Sequence, residues 1–134
     1  MLLARAAALL AALVVCAWFA LGIRQAHDTA KVRNVILNAS TLSPAQAAHE
    51  DVLLRSARTL NPDLEVDVLR GQVALFAGEL RRAEQTLGAV VRSEPDNIIG
   101  WVWLGRALGT GHQRYNVPLI EKAAANVARL DPLG

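Results

Sequence analysis

Two near-identical breaks divide this chain: Asn61-Pro62-Asp63 and, 33 residues later, Glu94-Pro95-Asp96. A proline disfavours helix in the residue before it and has no N–H to give to a helix interior. Each triplet therefore ends one helix, and Asp63 can cap the next. No other proline lies between them, and Gly78 stands near the middle, where a tight turn is needed. A unit of this length with a central turn has room for two helices of roughly three to four turns each. Leu130-Asp131-Pro132 closes a second unit of the same kind. No run of alternating apolar residues bounded by turns suggests a sheet.

The pattern within the units predicts how the helices stack. The helix from about 64 to 77 is apolar on two opposed sides, Leu64, Val68 and Leu75 on one and Val66, Leu69, Val73 and Phe76 on the other. A lone surface helix needs one apolar stripe, so two imply neighbours on both sides. The helix from Glu79 to about Ser93 has one narrow face of Leu80, Ala83, Leu87, Val90 and Val91, opposite Arg81, Arg82, Gln85 and Arg92, and belongs in an outer layer. The second unit opens with a helix from Ile98 to Leu108 and turns at Gly109, Gly111 and His112. Its last helix runs from about Val117 to Leu130, with Pro118 tolerated in the first turn. Ahead of the first break, Ser43, Pro44 and Gln46 make a helix start with a capping box, and that helix should reach about Leu60.

Trp101, Leu104, Gly105 and Leu108 fall on one helical face, and they match a W-x2-L-G-x2-Y signature with Leu108 in place of the Tyr. In the earlier unit Gly71, Ala83, Leu87 and Pro95 match, while Asp67 and Arg70 stand where Trp and Leu are expected. The helix from 44 to 60 looks like the second half of a third unit, with Leu54, Ala57 and Pro62 in place and Glu50 where a small residue is expected. These stretches resemble tetratricopeptide repeats. The resemblance implies an all-α chain whose residues 44–134 form a short solenoid of about two and a half helical hairpins, against the alternative of an unrelated small helical bundle. It implies that a large residue on one helix fills the space left by a small residue on its partner, and that the domain binds proteins rather than catalyses. It also implies that the first helix of each unit lines an inner groove, which makes Glu65, Val68, Gln72, Ile99, Val102 and Arg106 candidate partner contacts. Trp103 points about 200° away from Trp101. It either packs on the preceding repeat or stands exposed as a partner anchor.

Composition shifts sharply at the N-terminus. From Ala6 to Ile23 there is no charge and no proline. As a helix this run is roughly 27 Å long, and about 33 Å with Leu2 and Leu3 if Arg5 snorkels, close to the hydrocarbon thickness of a bilayer. The expected organisation is an anchor at 1–24, a juxtamembrane stalk at 25–43 and the helical domain at 44–134, with residues 6–23 in lipid. The competing reading is a cleaved secretory signal, which also places a positive charge ahead of an apolar core; Ala20-Leu21-Gly22 is then the best cleavage site. Arg24, Lys31 and Arg33 outnumber Arg5 across the run, which by the positive-inside rule keeps the domain in the cytoplasm. An N-terminal anchor with one leading Arg also exports the domain behind it, so the margin is thin. Ala4, Ala8 and Ala12, with Ala7 and Ala11, have the spacing that lets membrane helices approach, though an alanine-rich run produces it readily by chance.

The remaining residues argue against chemistry. Of 14 Lys plus Arg only Arg5 precedes the apolar run, and the others are interspersed with 12 Asp plus Glu, so no basic surface for nucleic acid is gathered. His27, His49 and His112 lack a second ligand at helix spacing, and Glu50 and Asp51 beside His49 read as the solvated side of a helix start. Ser40, Ser43, Ser56 and Ser93 have no nucleophile-elbow context, and Cys16 is alone inside the apolar run. No catalytic, cofactor or metal residues are expected. The expected function is a single-pass, bacterial-type membrane protein that recruits or scaffolds another protein, in the manner of an envelope or polysaccharide-assembly complex. The alternative is a secreted or periplasmic accessory subunit of an envelope enzyme. Two and a half units need their ends covered, by self-association, by a larger membrane protein, or by the 24–38 segment packing on the first hairpin.

Overall fold

The computed structural model describes residues 2–59, 63–110 and 117–132, the side chains of 2–4 and 6–8 excepted. Among these residues the chain is all helical, with no strand: α1 (Leu2–Asn38), α2 (Pro44–Arg58), α3 (Glu65–Phe76), α4 (Leu80–Ser93), α5 (Ile98–Thr110) and α6 (Val117–Leu130). The breaks expected at Leu60-Asn61-Pro62 and at Gly111-His112 lie outside the described residues.

Local chemistry accounts for the helix ends. The Ser43 hydroxyl accepts from the Gln46 N–H at 3.3 Å while the Gln46 carboxamide oxygen accepts from the Ser43 N–H at 3.0 Å, the reciprocal box that satisfies two orphan donors of α2. The Asp63 carboxylate accepts from the Glu65 N–H at 2.9 Å at the start of α3. The Asn97 side chain does the same for the Gly100 N–H at 2.8 Å at the start of α5. Between α3 and α4, Gly78 adopts φ 76°, and the Gly78 and Glu79 N–H groups bond back to the Leu75 and Ala74 carbonyls at 3.0 and 2.8 Å. That is a Schellman ending, and it reverses the chain within three residues.

Each helix packs on the next, and in addition α1 packs on α3 and α3 on α5. The odd-numbered helices thus form one layer and α2, α4 and α6 another. The two stripes of α3 face two separate cores. Val66, Leu69 and Val73 join Val32 and Ile36 of α1, Leu42, and Ala47, Leu54 and Ala57 of α2. Val68, Ala74 and Leu75 join Ala83, Leu87, Val90 and Val91 of α4, Trp101, Leu104, Ala107 and Leu108 of α5, and Ala123 of α6. At the second core the α3–α4 approach is close because Gly71 has no side chain: a Cβ there would lie 2.5 Å from Leu87 Cγ. Trp101 is 5 % exposed, and its indole N–H donates to the Pro95 carbonyl at 2.8 Å, tying α5 to the turn before it.

α1 has two different halves. Leu9, Leu10, Leu13, Val14, Trp18, Phe19 and Ile23 are all exposed on it, and it is the one described helix long and apolar enough to cross a membrane. The same helix continues without a break to Asn38 and buries Val32 and Ile36 completely or nearly so. Packing of the 24–38 segment is therefore how the first hairpin is covered: Val32, Val35, Ile36 and Ala39 recur at helical spacing and face α2 and α3. Near its base the Gln25 carboxamide donates to the Thr59 carbonyl, and Arg33 pairs with Glu65.

The expectation that Glu50 and Asp51 are solvated is overturned. They are 7 % and 5 % exposed, because α2 is sandwiched between α1 and α3 and turns this face inward. Asp51 is the hub of an ion cluster, accepting from Arg55 Nη2 at 2.7 Å, Arg70 Nε at 3.2 Å and Arg82 Nη2 at 2.7 Å, on α2, α3 and α4 respectively. Asp67 extends it to Arg58 at 3.1 Å and Arg70 at 3.4 Å. Burial alone would raise the Asp51 pKa, and the hydrogen bonds from Arg82, Arg55 and Arg70 more than reverse that, holding the carboxyl below the usual carboxylate range. Asp67 and Arg70, at the positions where a Trp and a Leu were expected, hold the α2–α3–α4 seam by charge where the later unit uses apolar packing.

Candidate binding groove

Parallel placement of α1, α3 and α5 opens a groove of about 840 Å³ along their shared face. Its direction is set by the contacts. Arg33 of α1 meets Glu65 at the start of α3, while the Leu42 N–H just past α1 donates to the Phe76 carbonyl at the end of α3 at 2.9 Å. Phe76 in turn meets Trp103 of α5, ring centroids 5.9 Å apart at 60°, an edge-to-face pair. The groove thus has one end near Arg33, Glu65 and Asn97 and the other near Ser40, Phe76 and Arg106.

Six of the seven residues expected to contact a partner line this one groove: Glu65, Val68, Gln72, Ile99, Trp103 and Arg106. Val68 and Gln72 form its buried floor, Glu65, Ile99 and Arg106 its exposed rim, and Trp103 is half-buried against the preceding hairpin. Val102 is not among the lining residues. It is 44 % exposed elsewhere on α5, since a step of one residue from Trp103 turns a helical side chain by about 100°. The wall contributed by Arg33, Ile36 and Leu37 of α1 was not foreseen from the sequence, nor was Phe76 as the support for Trp103. The recurrence of Val32, Val35, Ile36 and Ala39 is the signal that could have found that wall.

At the far end the Arg106 guanidinium carbon stands 5.1 Å from the Trp103 ring centroid and 5.8 Å from that of Phe76. The two aromatic faces hold the cation in place by attraction to the ring quadrupoles. Among the described residues no carboxylate pairs with Arg106, unlike Arg33, Arg55, Arg58, Arg70, Arg82 and Arg129. A largely apolar floor, with Gln72 as its buried polar member and an unneutralised cation at one end, suits a ligand that is mostly hydrophobic and carries a negative group. No cluster of three or more His, Cys, Asp or Glu that could hold a metal ion occurs among the described residues.

A scan of protein-family models, a search of curated proteins and a search of solved structures each return no match.

Proposed function

We propose that this protein is a membrane-anchored adaptor whose tetratricopeptide-like hairpins bind a protein partner in the groove formed by α1, α3 and α5. The observation that carries the reading is the convergence of Trp103, Phe76 and Arg106 at one end of an apolar groove walled by the first helix of each hairpin. Three features support the repeat-like interpretation: alternation of the helices into two layers, close approach at Gly71, and burial of Trp101 in the core that α5 shares with α3, α4 and α6. The exposed apolar half of α1 supports the anchor. Rigid aromatic and Arg side chains in a concave site are the residue types that dominate protein–protein binding energy. A scaffold role in an envelope or polysaccharide-assembly complex fits an anchored domain of this kind.

The test is chemical crosslinking in intact membranes, comparing the native chain with Trp103→Ala and with Arg106→Glu, and with Arg81→Glu on the opposite layer as a control. The two groove substitutions should abolish the same adduct band while Arg81→Glu retains it. An adduct pattern that none of the three changes, or that only Arg81→Glu changes, places the partner elsewhere and refutes the groove as the binding site.

A further inference from the structure

The groove is built partly from the helix that carries the apolar run, and this fixes where it stands. α1 is continuous from the apolar segment to Asn38, and Gln25 is tied to Thr59 at the end of α2. From Ile23 to Arg33 is about 15 Å along the helix, and to Asn38 about 22 Å. The end marked by Arg33 and Glu65 is therefore the one nearer the bilayer, and α3 and α5 run beside α1 away from it. Arg106, level with Phe76 at the other end, stands roughly 30 Å beyond the edge of the apolar run. A ligand filling this groove lies along the direction in which a chain leaves the membrane.

We propose that the occupant is the segment immediately after the membrane span of another single-pass protein, running up the groove beside α1, with apolar side chains on Ile36, Leu69 and Phe76 and a carboxylate on Arg106. This rests on the reading of the groove as a partner site and adds the partner's class and direction. Charge complementarity supports it: Arg106 is an exposed cation without a carboxylate, whereas Arg33 at the near end is already neutralised by Glu65. A membrane lipid fits poorly, because an acidic headgroup remains at the interface while Arg106 stands roughly 30 Å away from it. A freely diffusing peptide gains nothing from the alignment. An anchored segment is held at high effective concentration beside α1, so even a short groove suffices for stable association.

The experiment places the photocrosslinker benzoylphenylalanine at Ile99 or at Leu37, 52 % and 76 % exposed on opposite walls, in the full chain in membranes of the native host. Adducts are mapped by mass spectrometry to the attached peptide. The expected result is that both positions attach to residues within about 25 of a membrane span in the captured protein, since about 1.5 Å per helical residue covers the groove from that distance. Arg106→Glu should lower the yield by about tenfold or more, as loss of a charge-assisted hydrogen bond implies, and Arg106→Lys should restore part of it. Adducts mapping to a soluble protein, to a region remote from any span, or to lipid overturn this inference. A soluble-protein adduct that still depends on Arg106 leaves the partner-binding groove standing, whereas no adduct from either position removes both.

Discussion

Gly71→Ala tests the seam between α3 and α4 with a single methyl group. The added Cβ would lie 2.5 Å from Leu87 Cγ, 2.7 Å from its Cδ2 and 3.1 Å from its Cδ1. Cγ is the branch point of that side chain rather than its tip, and Leu87 is 0 % exposed, so no rotamer change moves it clear. The helices must separate, and overpacking of this kind costs about 1 to 3 kcal/mol. Replacing Gly by Ala inside a helix returns about 0.8 to 1 kcal/mol of backbone entropy. Because the nearest contact is far below van der Waals separation, the upper part of the overpacking range applies, and the net loss is about 1 to 2 kcal/mol. The assay is urea unfolding of the full chain in mild detergent, monitored by helical circular dichroism. Leu87→Ala alone should cost about 2 to 5 kcal/mol by leaving a cavity. In that background Gly71→Ala should become neutral or stabilising, a coupling of about 2 kcal/mol. Stability unchanged or raised by Gly71→Ala in the native background, or effects that add within about 0.5 kcal/mol, would refute close approach at this position.

Gly105 is a milder case: its added Cβ would meet Ala123 Cβ at an ordinary 3.6 Å, so Gly105→Ala should hold or raise the urea midpoint, whereas Gly105→Leu, like Ala83→Leu at a 0 % exposed site, should lose about 1 to 3 kcal/mol. Asp51, whose folded pKa is depressed, contributes stability that is present above its unfolded value near 3.9 and is lost as pH falls through the folded value. Asp51→Asn should therefore cost about 1 to 3 kcal/mol at pH 7, discounted because its three Arg partners are 28 to 66 % exposed, and should flatten the fall in stability below about pH 4. An equally steep acid limb in Asp51→Asn would assign that fall to other groups. Edman sequencing of the mature protein should find the residues of α1 before Ile23 retained; a start at or after Ile23 would establish a cleaved signal instead.

Much of the helical layer was legible because its signals are local. Pro95, Gly78 and the Ser43–Gln46 box act on their own backbone, and α3 declares two neighbours by carrying two apolar stripes. The resemblance to tetratricopeptide repeats pointed to the first helix of each unit, and six of the seven residues it picked out line one groove, while Val102, one step around the helix, does not. The hidden part was non-local. Asp51 meets Arg70 and Arg82 from two other helices, and no spacing along the chain distinguishes such a buried charge from a solvated one. Glu50 is hidden for the same reason, and its Oε2 finds no hydrogen-bond partner among the described residues. The wall supplied by Arg33, Ile36 and Leu37 was masked by the apolar run before it, which made residues 24–38 look like a stalk.

That stalk is better understood as the first rod of the domain. A flexible linker would let the hairpins tumble independently of the apolar half of α1, and under the proposed anchoring Arg106 would then sample every height above the bilayer. Val32 and Ile36, 0 % and 5 % exposed, remove that freedom, because detaching the segment from α2 and α3 would return about 1.5 to 3 kcal/mol of apolar surface to water for each of the two side chains. The Gln25–Thr59 hydrogen bond ahead of the buried pair and the Arg33–Glu65 pair within it resist the same motion. The helix that leaves the apolar run cannot bend away without opening the first core. The height and direction of the groove are therefore set by the same contacts that stabilise the first hairpin, and a substitution such as Ile36→Ala should loosen both together.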